Sequence, residues 1–225
     1  MAEIKQLFEP KSSTYTYLLL DRDLRDAVII DPVDSDVERY LQELQGYTLR
    51  FILDTHIHAD HVTGAYLLKQ RTKANYGLGT ELAGVDLVLQ DGKFIKVGGV
   101  DIRILATPGH TPESICLLVE KALFSGDTLL IGRCGRTDLQ GGSAEALYHS
   151  VTKKLFTLPD DTIVYPGHEY EGRTHSTLGW EKENNIRLAH KTKAEFIHIM
   201  DNLNLPYPRM MDVAVPANLK CGKKD

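Results

Sequence analysis

The chain has 225 residues, of which 42% are hydrophobic and 25% charged, and these proportions are typical of an ordinary soluble globular protein. Its formal net charge of -5 gives no overall attraction to phosphate backbones or anionic lipid, and no apolar run approaches the roughly 20 residues that span a bilayer. We therefore expect neither nucleic acid nor a membrane as a partner.

The N-terminus and the cysteines bear on the cellular location. The opening MAEIKQLF lacks both a secretory apolar segment and an Arg-rich transit pattern, so we expect a cytoplasmic protein. Cys116, Cys134 and Cys221 are odd in number and widely spaced, which favours free thiols in a reducing compartment. The length predicts a single domain over 1–225, including a short C-terminal helical segment and tail from about 180 to 225.

The first half of the chain predicts an alternation of strands and helices. The apolar runs TYTYLLLD, DAVIIDP and LRFILDTH are typical of strands. Between the second and third runs, Val37, Leu41 and Leu44 recur at helical spacing, with Ser35 or Asp34 as the candidate N-cap. VTGAYLLKQRT predicts a further helix that begins near Val62.

The second half predicts hairpins followed by helices. FIKVGGVDIRILATPGH and ICLLVEKALFSGD contain paired strand-like runs joined by the turns GG and EKA. AEALYHSVTKKLFTL predicts a helix, DTIVYPGHEY a strand that runs into a loop, and the polar stretch from Trp180 to about Asn202 another helix. The order of elements indicates an α/β fold.

Three histidines and an aspartate fall within six positions in the stretch THIHADH. His56 and His58 lie two apart at a strand end, so an extended backbone would point both rings to the same side. Asp60 and His61 follow where the chain turns into the next helix, and they approach the same cavity from another direction. Burying so many polar groups together is costly unless an ion or a hydrogen-bond network satisfies them, so this cluster predicts a metal site.

Three later residues repeat the layout of a polar side chain after a strand. His110 in PGHT, Asp127 in SGDT and His168 in YPGHEY each follow an apolar run and a turn. An isolated histidine after a strand is usually a surface or hydrogen-bonded residue. Four separate strand ends with such groups are instead typical of a site in a layered α/β fold.

These motifs together resemble the metallo-β-lactamase superfamily. THIHADH resembles its T-H-x-H-x-D-H signature, and PGHT, SGDT and YPGHEY resemble its downstream ligand motifs in the expected order. The resemblance implies an αβ/βα four-layer sandwich, with two mixed sheets between helices and metals at one edge. It implies one metal site from His56, His58 and His110, a second from Asp60, His61 and His168, and Asp127 between them. The complete set alone implies a binuclear hydrolase, for which a glyoxalase II-like enzyme that cleaves a glutathione thioester is the leading alternative.

Longer segments are more specific and resemble the persulfide dioxygenase (sulfur dioxygenase) branch of that superfamily. They are LLIGRCGRTDLQGGSAEALYHSV, YPGHEYEGRTHSTLGWEKENNIRL and NLNLPYPRMMDVAVPANLKCG. Glyoxalase II typically adds a larger helical domain, and only 57 residues (225 minus 168) follow His168 here. We therefore favour the dioxygenase interpretation.

The dioxygenase resemblance implies one Fe(II) per chain, held by His56, His110 and Asp127. Two histidines and one carboxylate leave about three coordination positions open, so oxygen and a persulfide sulfur can bind side by side. The expected reaction converts glutathione persulfide, O₂ and water to sulfite and glutathione, in the detoxification of sulfide and sulfane sulfur. The other metal-type residues would then hydrogen-bond and shape the charge around the ion, or hold a second metal under the hydrolase alternative: His58, Asp60, His61 and His168.

The same resemblance implies three candidate residues in the substrate pocket. Arg136 has a planar guanidinium suited to a glutathione carboxylate, although a structural ion pair with Asp138 is the alternative. Tyr170 can hydrogen-bond a substrate group. Cys134 is expected near the substrate sulfur, although a small buried residue is at least as good an interpretation.

Partners and alternatives complete the expectations. The resemblance implies a homodimer, and the chain corresponds to a stand-alone form, so a separate sulfurtransferase is expected in the same pathway. A non-enzymatic metal-dependent sensor or binding protein on the same scaffold is the third interpretation, which the complete ligand set disfavours.

Overall fold

The computed structural model describes residues 2–224, which form two compact units. The first unit comprises the chain up to Leu89, Phe94–Ile102 and the chain from Tyr207 onward. The second comprises Gln90–Lys93 and Arg103–Pro206. The single domain over 1–225 stays a prediction. Within residues 2–224, no helix has both the length and the apolar character needed to cross a bilayer.

A six-stranded mixed sheet forms the centre of the first unit. In spatial order its strands are β1 (Glu3–Glu9), β2 (Thr14–Asp21), β3 (Asp26–Ile30), β4 (Thr48–Leu53), β5 (Asn75–Leu78) and β6 (Leu87–Val88). The first three strands are antiparallel, and the strands from β3 to β6 are parallel. TYTYLLLD forms β2 as predicted and is buried along its whole length, as its continuous apolar run indicates. The edge strand β1 and the short strands β5 and β6 were not predicted.

Two helices connect the parallel strands of this sheet. Helix α1 (Val37–Glu43) links β3 to β4, and α2 (Ala65–Thr72) links β4 to β5. Their apolar faces pack in a core with the sheet, which also includes the fully buried rings of Tyr40 and Tyr76. Parallel neighbouring strands need crossover connections of this kind.

Two predicted helix starts in the first unit were wrong. A 3₁₀ turn occupies Asp34–Asp36 before α1, and no side chain caps either helical segment, so neither Ser35 nor Asp34 acts as an N-cap. Helix α2 does not begin near Val62. Thr63 pairs with Val33 in a β-bridge, and the N–H of Gly64 donates to the carbonyl of Pro32 at 2.7 Å, so the helix begins only at Ala65.

The second sheet contains both predicted hairpins. Its strands are β7 (Phe94–Val97), β8 (Val100–Ala106), β9 (Ile115–Val119), β10 (Ala122–Gly126), β11 (Ile163–Pro166) and β12 (Ser176–Thr177), in the spatial order β12-β11-β10-β9-β8-β7. Strand β8 continues from the first unit into the second. Strands β9 and β10 are antiparallel and are joined by the predicted turn, in which Glu120 has a φ of 52°. Strands β10 and β11 are parallel, so their carboxyl ends lie together.

The helices of the second half depart from prediction in one place. AEALYHSVTKKLFTL is helical as predicted: α3 (Ala144–His149) continues through a π segment (Ser150–Lys154) and a 3₁₀ turn (Leu155–Thr157). The stretch from Trp180 to Asn202 is not one helix, because α4 (Leu178–Asn184) ends where Asn185 adopts an extended ψ of 114°. Helix α5 (Lys193–Asp201) then begins with a capping box between Thr192 and Glu195. A last helix, α6 (Met211–Asn218), belongs to the first unit.

Candidate metal centre

An irregular loop of the first unit carries the histidine cluster. Strand β4 ends at Leu53 and α2 begins at Ala65, and between them His56, His58 and His61 are 2%, 1% and 4% exposed. The His58 ring lies 4.1 Å from the His56 ring and 4.3 Å from the His61 ring, between centroids. The rings of His56 and His58 lie together as expected, but the extended backbone given as the reason was wrong. The backbone bends after Leu53 instead of remaining an extended strand.

Asp31, at the end of the neighbouring parallel strand β3, orients this loop. Its carboxylate accepts hydrogen bonds from the N–H of Thr55 at 2.7 Å and from the Thr55 hydroxyl at 2.9 Å. The Nε2 of His58 lies 3.1 Å from the same carboxylate. A carboxylate accepts, so Nε2 carries the hydrogen and Nδ1 of a neutral His58 presents its lone pair. A carboxylate that fixes a histidine in this way is the usual support of a metal ligand.

The surroundings of His58 are strongly negative. Burial disfavours the charged ring, but Asp31, Asp54 and Asp60 outweigh this effect and raise the pKa of His58 to about 9. Asp54 follows β4 and accepts a hydrogen bond from the Tyr76 hydroxyl at 2.8 Å, and burial raises the pKa of its carboxyl. The negative potential that holds a proton on His58 would equally attract a metal cation.

His61 and Asp60 form a second pair beside His58. Nδ1 of His61 lies 2.8 Å from the Asp60 carboxylate, which also accepts a hydrogen bond of 3.1 Å from the hydroxyl of Thr14. Ligand atoms of His58, Asp60 and His61 all lie within 4.8 Å of one another, as do those of Asp31, Asp54 and His58. The first unit therefore contains candidate metal-binding groups of histidine and aspartate.

The second unit carries the other predicted ligands at three loop positions. Asp127 directly follows β10 and His168 follows β11, and the parallel pairing of these strands brings them together. One carboxylate oxygen of Asp127 lies 3.6 Å from Nε2 of His168, and the other lies 3.6 Å from Nε2 of His110. Nδ1 of His110 lies 2.7 Å from the carbonyl oxygen of Arg136, so Nδ1 carries the hydrogen and Nε2 faces Asp127.

Two glycines are required by the close packing around Asp127. A Cβ on Gly135 would lie 2.4 Å from the carbonyl oxygen of Asp127 and 2.8 Å from Nδ1 of His110. A Cβ on Gly167 would lie 2.8 Å from a carboxylate oxygen of Asp127. The glycines of the CGR and PGH runs therefore allow the backbone to approach Asp127 and His110 closely.

Arg136 makes the ion pair that was the alternative interpretation. Its Nε and Nη2 each lie 2.7 Å from an oxygen of the Asp138 carboxylate, and Nη1 donates to the carbonyl of Pro206 at 2.7 Å. The side chain is 15% exposed. Its carbonyl holds His110, so the residue acts on the candidate site through its backbone whether or not its guanidinium binds substrate.

Cys134 lies in the hydrophobic core of the second unit. The residue is 2% exposed, and its sulfur lies 3.9 Å from the sulfur of Met200. Burial raises the pKa of its thiol to about 11, so the nucleophilic thiolate is disfavoured at neutral pH. These observations favour the interpretation of Cys134 as a small core residue, and its contact with substrate stays a prediction.

Tyr170 differs from the other pocket candidates because it is 62% exposed. Its ring is parallel to that of His168, with centroids 6.3 Å apart. Glu169 between them turns back into the loop and accepts backbone hydrogen bonds from Glu171 at 2.7 Å and Arg173 at 2.9 Å. The loop is thereby fixed while the Tyr170 ring stays accessible to a ligand.

Two buried atoms test whether these residues fit a metal ion. Nδ1 of His58 and Oδ1 of Asp127 have no hydrogen-bond partner among residues 2–224. Imidazole nitrogens and carboxylate oxygens are ligands of iron and zinc. A buried carboxylate oxygen without a hydrogen bond costs free energy, which a cation would offset. The residues present therefore fit a metal ion.

Asp31 and Asn218 support the histidine loop but were not predicted from the sequence. Asp31 ends the run DAVIID, and the rule that carboxyl ends of parallel strands meet at one edge could have found it. Asn218 hydrogen-bonds the backbone of the histidine loop from 155 to 160 residues away. The sequence placed Asn218 in the run VPANLKCG but did not indicate which residues it would hydrogen-bond.

Comparisons with known proteins agree with these features. The chain matches the metallo-beta-lactamase superfamily over residues 11–86 and 78–168. It is 45% identical over 225 residues to the mouse (Mus musculus) protein named persulfide dioxygenase ETHE1, mitochondrial, covering 97% of this chain and 88% of that protein. The crystal structure of ETHE1 from Myxococcus xanthus is 48% identical with a TM-score of 0.96, covering 98% of this chain and all of that one. The hydroxyacylglutathione hydrolase of a Polaromonas species is 38% identical over 179 residues, covering 76% and 68% of the two chains.

The predicted fold class and the predicted branch are both confirmed. The two mixed sheets and their helices match the metallo-β-lactamase fold of the Myxococcus protein. The similarity to the persulfide dioxygenase extends over nearly the whole chain, whereas the similarity to the hydrolase covers about three quarters of it. The chain therefore belongs to the persulfide dioxygenase family within the metallo-β-lactamase superfamily.

Proposed function

We propose that the protein is a non-haem iron persulfide dioxygenase, an oxidoreductase that converts glutathione persulfide, O₂ and water to sulfite and glutathione. The observation that carries this function is the 45% identity to a protein named persulfide dioxygenase over 97% of the chain. The chain also contains the runs CGRTD and VPANLKCG, which are absent from the general signature of metal ligands. Similarity of this extent supports a shared reaction and not only a shared fold.

We further propose that His56, His110 and Asp127 hold one ferrous ion. His110 and Asp127 support this assignment because Nε2 of His110 lies 3.6 Å from Oδ2 of Asp127. The other oxygen, Oδ1, faces His168 and is buried without a hydrogen bond among residues 2–224. When bound, a ferrous ion with two histidines and one carboxylate offers adjoining positions to O₂ and to a soft sulfur, and it supplies the redox chemistry.

The chain's own residues position and select the reactants in this proposal. The carbonyl of Arg136 keeps a hydrogen of His110 on Nδ1, and Asp31 keeps one of His58 on Nε2, so the orientation of both rings is fixed, and each ring in its neutral form presents its other nitrogen as a lone pair. His58, Asp60, His61 and His168 set the charge and the hydrogen bonds around the ion. Tyr170 is accessible to substrate, and Arg136 would bind a glutathione carboxylate by sharing its guanidinium with Asp138.

A binuclear thioester hydrolase is the second candidate function. The observation that favours it is the complete set of seven metal-type residues, together with 38% identity to a hydroxyacylglutathione hydrolase over 76% of the chain. In that enzyme class a metal-bound hydroxide attacks the thioester carbonyl. His58, Asp60 and His61, whose ligand atoms lie within 4.8 Å of one another, would then supply ligands to the two metals.

One experiment separates the two functions. The apoprotein is loaded anaerobically with Fe(II), its metal content is measured, and glutathione persulfide is added in an oxygen electrode. We expect about one iron per chain, consumption of O₂ and formation of sulfite. The same preparation and a zinc-loaded one are then given S-lactoylglutathione. Hydrolysis by protein with two metals per chain, without O₂ consumption by the iron form, would overturn the dioxygenase function.

The cellular context also stays a proposal. We propose a cytoplasmic enzyme that works with a separate sulfurtransferase, and a homodimer as its assembly. The mouse relative carries the word mitochondrial in its name. Fractionation of cells that express the tagged full chain, and light scattering of the purified protein, would test location and assembly.

A further inference from the structure

The side chain of Asn218 joins the last helix to the backbone of the histidine loop. Asn218 is the final residue of α6 and is 3% exposed. Its Nδ2 donates to the carbonyl of His58 at 2.8 Å and to the carbonyl of His61 at 2.9 Å. Its Oδ1 accepts a hydrogen bond from the N–H of Thr63 at 2.9 Å. One buried side chain therefore bonds three backbone groups within six residues of the loop.

The carboxamide group matches this arrangement because it has two N–H donors and an acceptor oxygen. The loop lies between the end of β4 and the start of α2, so its backbone groups lack the regular partners of a strand or helix. A buried carbonyl or N–H left without a partner destabilises the folded chain. Asn218 satisfies three such groups and thereby specifies the curvature of the chain from His58 to Thr63.

The rest of the tail anchors Asn218 against this loop. Val62 packs in a buried cluster with Ala214 and Ala217 of α6. A Cβ on Gly222 would lie only 2.2 Å from the carbonyl oxygen of Thr63, and this glycine has a φ of 85°. Only glycine combines that backbone conformation with so close an approach.

Cys221, just before this glycine, and Lys224, two residues after it, also contact the first half of the chain. Cys221 is 5% exposed, and its sulfur donates to the carbonyl of Ala83 at 3.3 Å. Lys224 forms an ion pair with Asp34. The run VPANLKCG therefore contacts the earlier part of the first unit at several points, with Asn218 as the polar one that reaches the histidine loop.

We propose, on the basis of the proposed metal site, that Asn218 is a positioning residue that holds the histidine loop in its metal-binding conformation. Asn218 touches neither metal nor substrate in this role. It acts through the backbone of His58 and His61, whose rings lie 4.3 Å apart between centroids. Its loss would free the loop to move, and with it the ring of the proposed ligand His56, which lies 4.1 Å from the His58 ring between centroids. Loss of groups that orient metal ligands commonly lowers metal affinity by about 10- to 100-fold.

The test compares two substitutions with two controls in the full chain. Asn218→Asp keeps the size of the side chain but places a carboxylate oxygen against the carbonyls of His58 and His61, so it isolates the hydrogen bonds from the packing. Asn218→Ala removes all three bonds without adding a charge, and it keeps the test decisive if the aspartate variant fails to fold. Asn184→Asp makes the same chemical change on the exposed surface of α4. Leu20→Ala removes a fully buried side chain of the first core, at the end of β2 remote from Thr14, so it destabilises the unit without touching the loop.

The readouts are metal affinity and ligand geometry. Apparent dissociation constants for Co(II) and, anaerobically, Fe(II) are measured by competition with a chelator, and the visible absorption bands of the Co(II) form report its coordination. We expect both Asn218 variants to bind Co(II) and Fe(II) about 10- to 100-fold more weakly, with altered bands, and both controls to retain wild-type affinity and bands. Wild-type affinity and bands in a folded Asn218 variant would overturn the inference. An equal loss of affinity in Leu20→Ala would also overturn it, because general destabilisation would then explain the effect. Failure of the iron-loaded wild type to consume O₂ would instead count against the proposed reaction and leave this comparison intact.

Discussion

The two units supply metal-type residues in different ways. In the first, His56, His58 and His61 come from one irregular loop, and residues distant in sequence, Asp31 and Asn218, hold it in place. In the second, three separate loops each supply one residue.

Strand pairing and close backbone packing determine the positions of His110, Asp127 and His168 in the second unit. The parallel pairing of β10 and β11 places Asp127 beside His168, and glycines allow the close approach of His110. The geometry of the clustered histidines thus depends on hydrogen bonds from residues distant in sequence. That of Asp127 and His168 depends on the pairing of the two strands that they follow. The two regions should respond differently to substitution.

The largest expected effect is in the second unit. Asp127→Asn replaces a carboxylate with a neutral amide at the position where, within the described part of the chain, Oδ1 is buried without a hydrogen bond. Because the proposed iron site has only three protein ligands, we expect loss of iron binding and a fall in O₂ consumption beyond the about 100-fold that an orienting group typically causes. Iron content and oxygen-electrode rates measure this outcome. Asp161→Asn, on the exposed surface, is the control.

Retention of one tightly bound iron by Asp127→Asn would remove this residue from the proposed ligand set. The folded state of the variant is checked by its melting temperature. A normal melting temperature with lost iron would show that the carboxylate binds metal and does not merely support the fold.

A smaller loss of iron affinity is expected when Asp31, which orients the histidine loop of the first unit, is replaced. Asp31→Asn keeps an oxygen for the N–H of Thr55 but weakens the charge-assisted bond to Nε2 of His58. We expect iron affinity to fall by about 10- to 100-fold, less than in Asp127→Asn, because His58 orients the site and is not itself a proposed ligand. Chelator competition measures both variants under the same conditions.

An Asp31→Asn effect as large as that of Asp127→Asn would contradict this ranking. It would indicate that His58 binds metal directly, as the binuclear alternative requires. Two metals per chain in the wild type, with one lost in Asp31→Asn, would support the same conclusion.

The sequence predicted the parts of the site that depend on short motifs. The seven metal-type residues and the paired strands β9 and β10 were found from local patterns, because turn residues and apolar runs determine them nearby. The metallo-β-lactamase fold class followed from the family resemblance and not from periodicity. The clustered histidines were also predicted, but the bent backbone that brings their rings together was not. That bend depends on hydrogen bonds to Asp31 and Asn218, which are distant in sequence.

Features that depend on distant partners were missed or wrong. Helix α2 begins three residues after Val62 because Pro32 and Val33 hold the preceding backbone. The break between α4 and α5 was missed because the polar stretch continues through it. Asn185 turns there to bond the carbonyl of Arg133 at 3.0 Å and a carboxylate oxygen of Glu181 at 2.8 Å. The hydrophobic periodicity of one segment does not identify hydrogen-bond partners that are distant in sequence.

The smallest expected effect concerns Arg136, where the two interpretations differ in kinetics. If the guanidinium binds a glutathione carboxylate, Arg136→Ala should raise the KM for glutathione persulfide more than it lowers kcat, since uniform binding is lost. If it only anchors its loop through Asp138 and Pro206, the carbonyl that holds His110 will shift, and kcat and iron affinity should fall instead. Asp138→Asn is the matched variant, because it weakens the ion pair but keeps the guanidinium. A raised KM in Arg136→Ala with a near-normal KM in Asp138→Asn would assign Arg136 to substrate binding. An unchanged KM in Arg136→Ala would remove it from the pocket, and the second unit would then resemble the first in using a distant contact to orient a histidine.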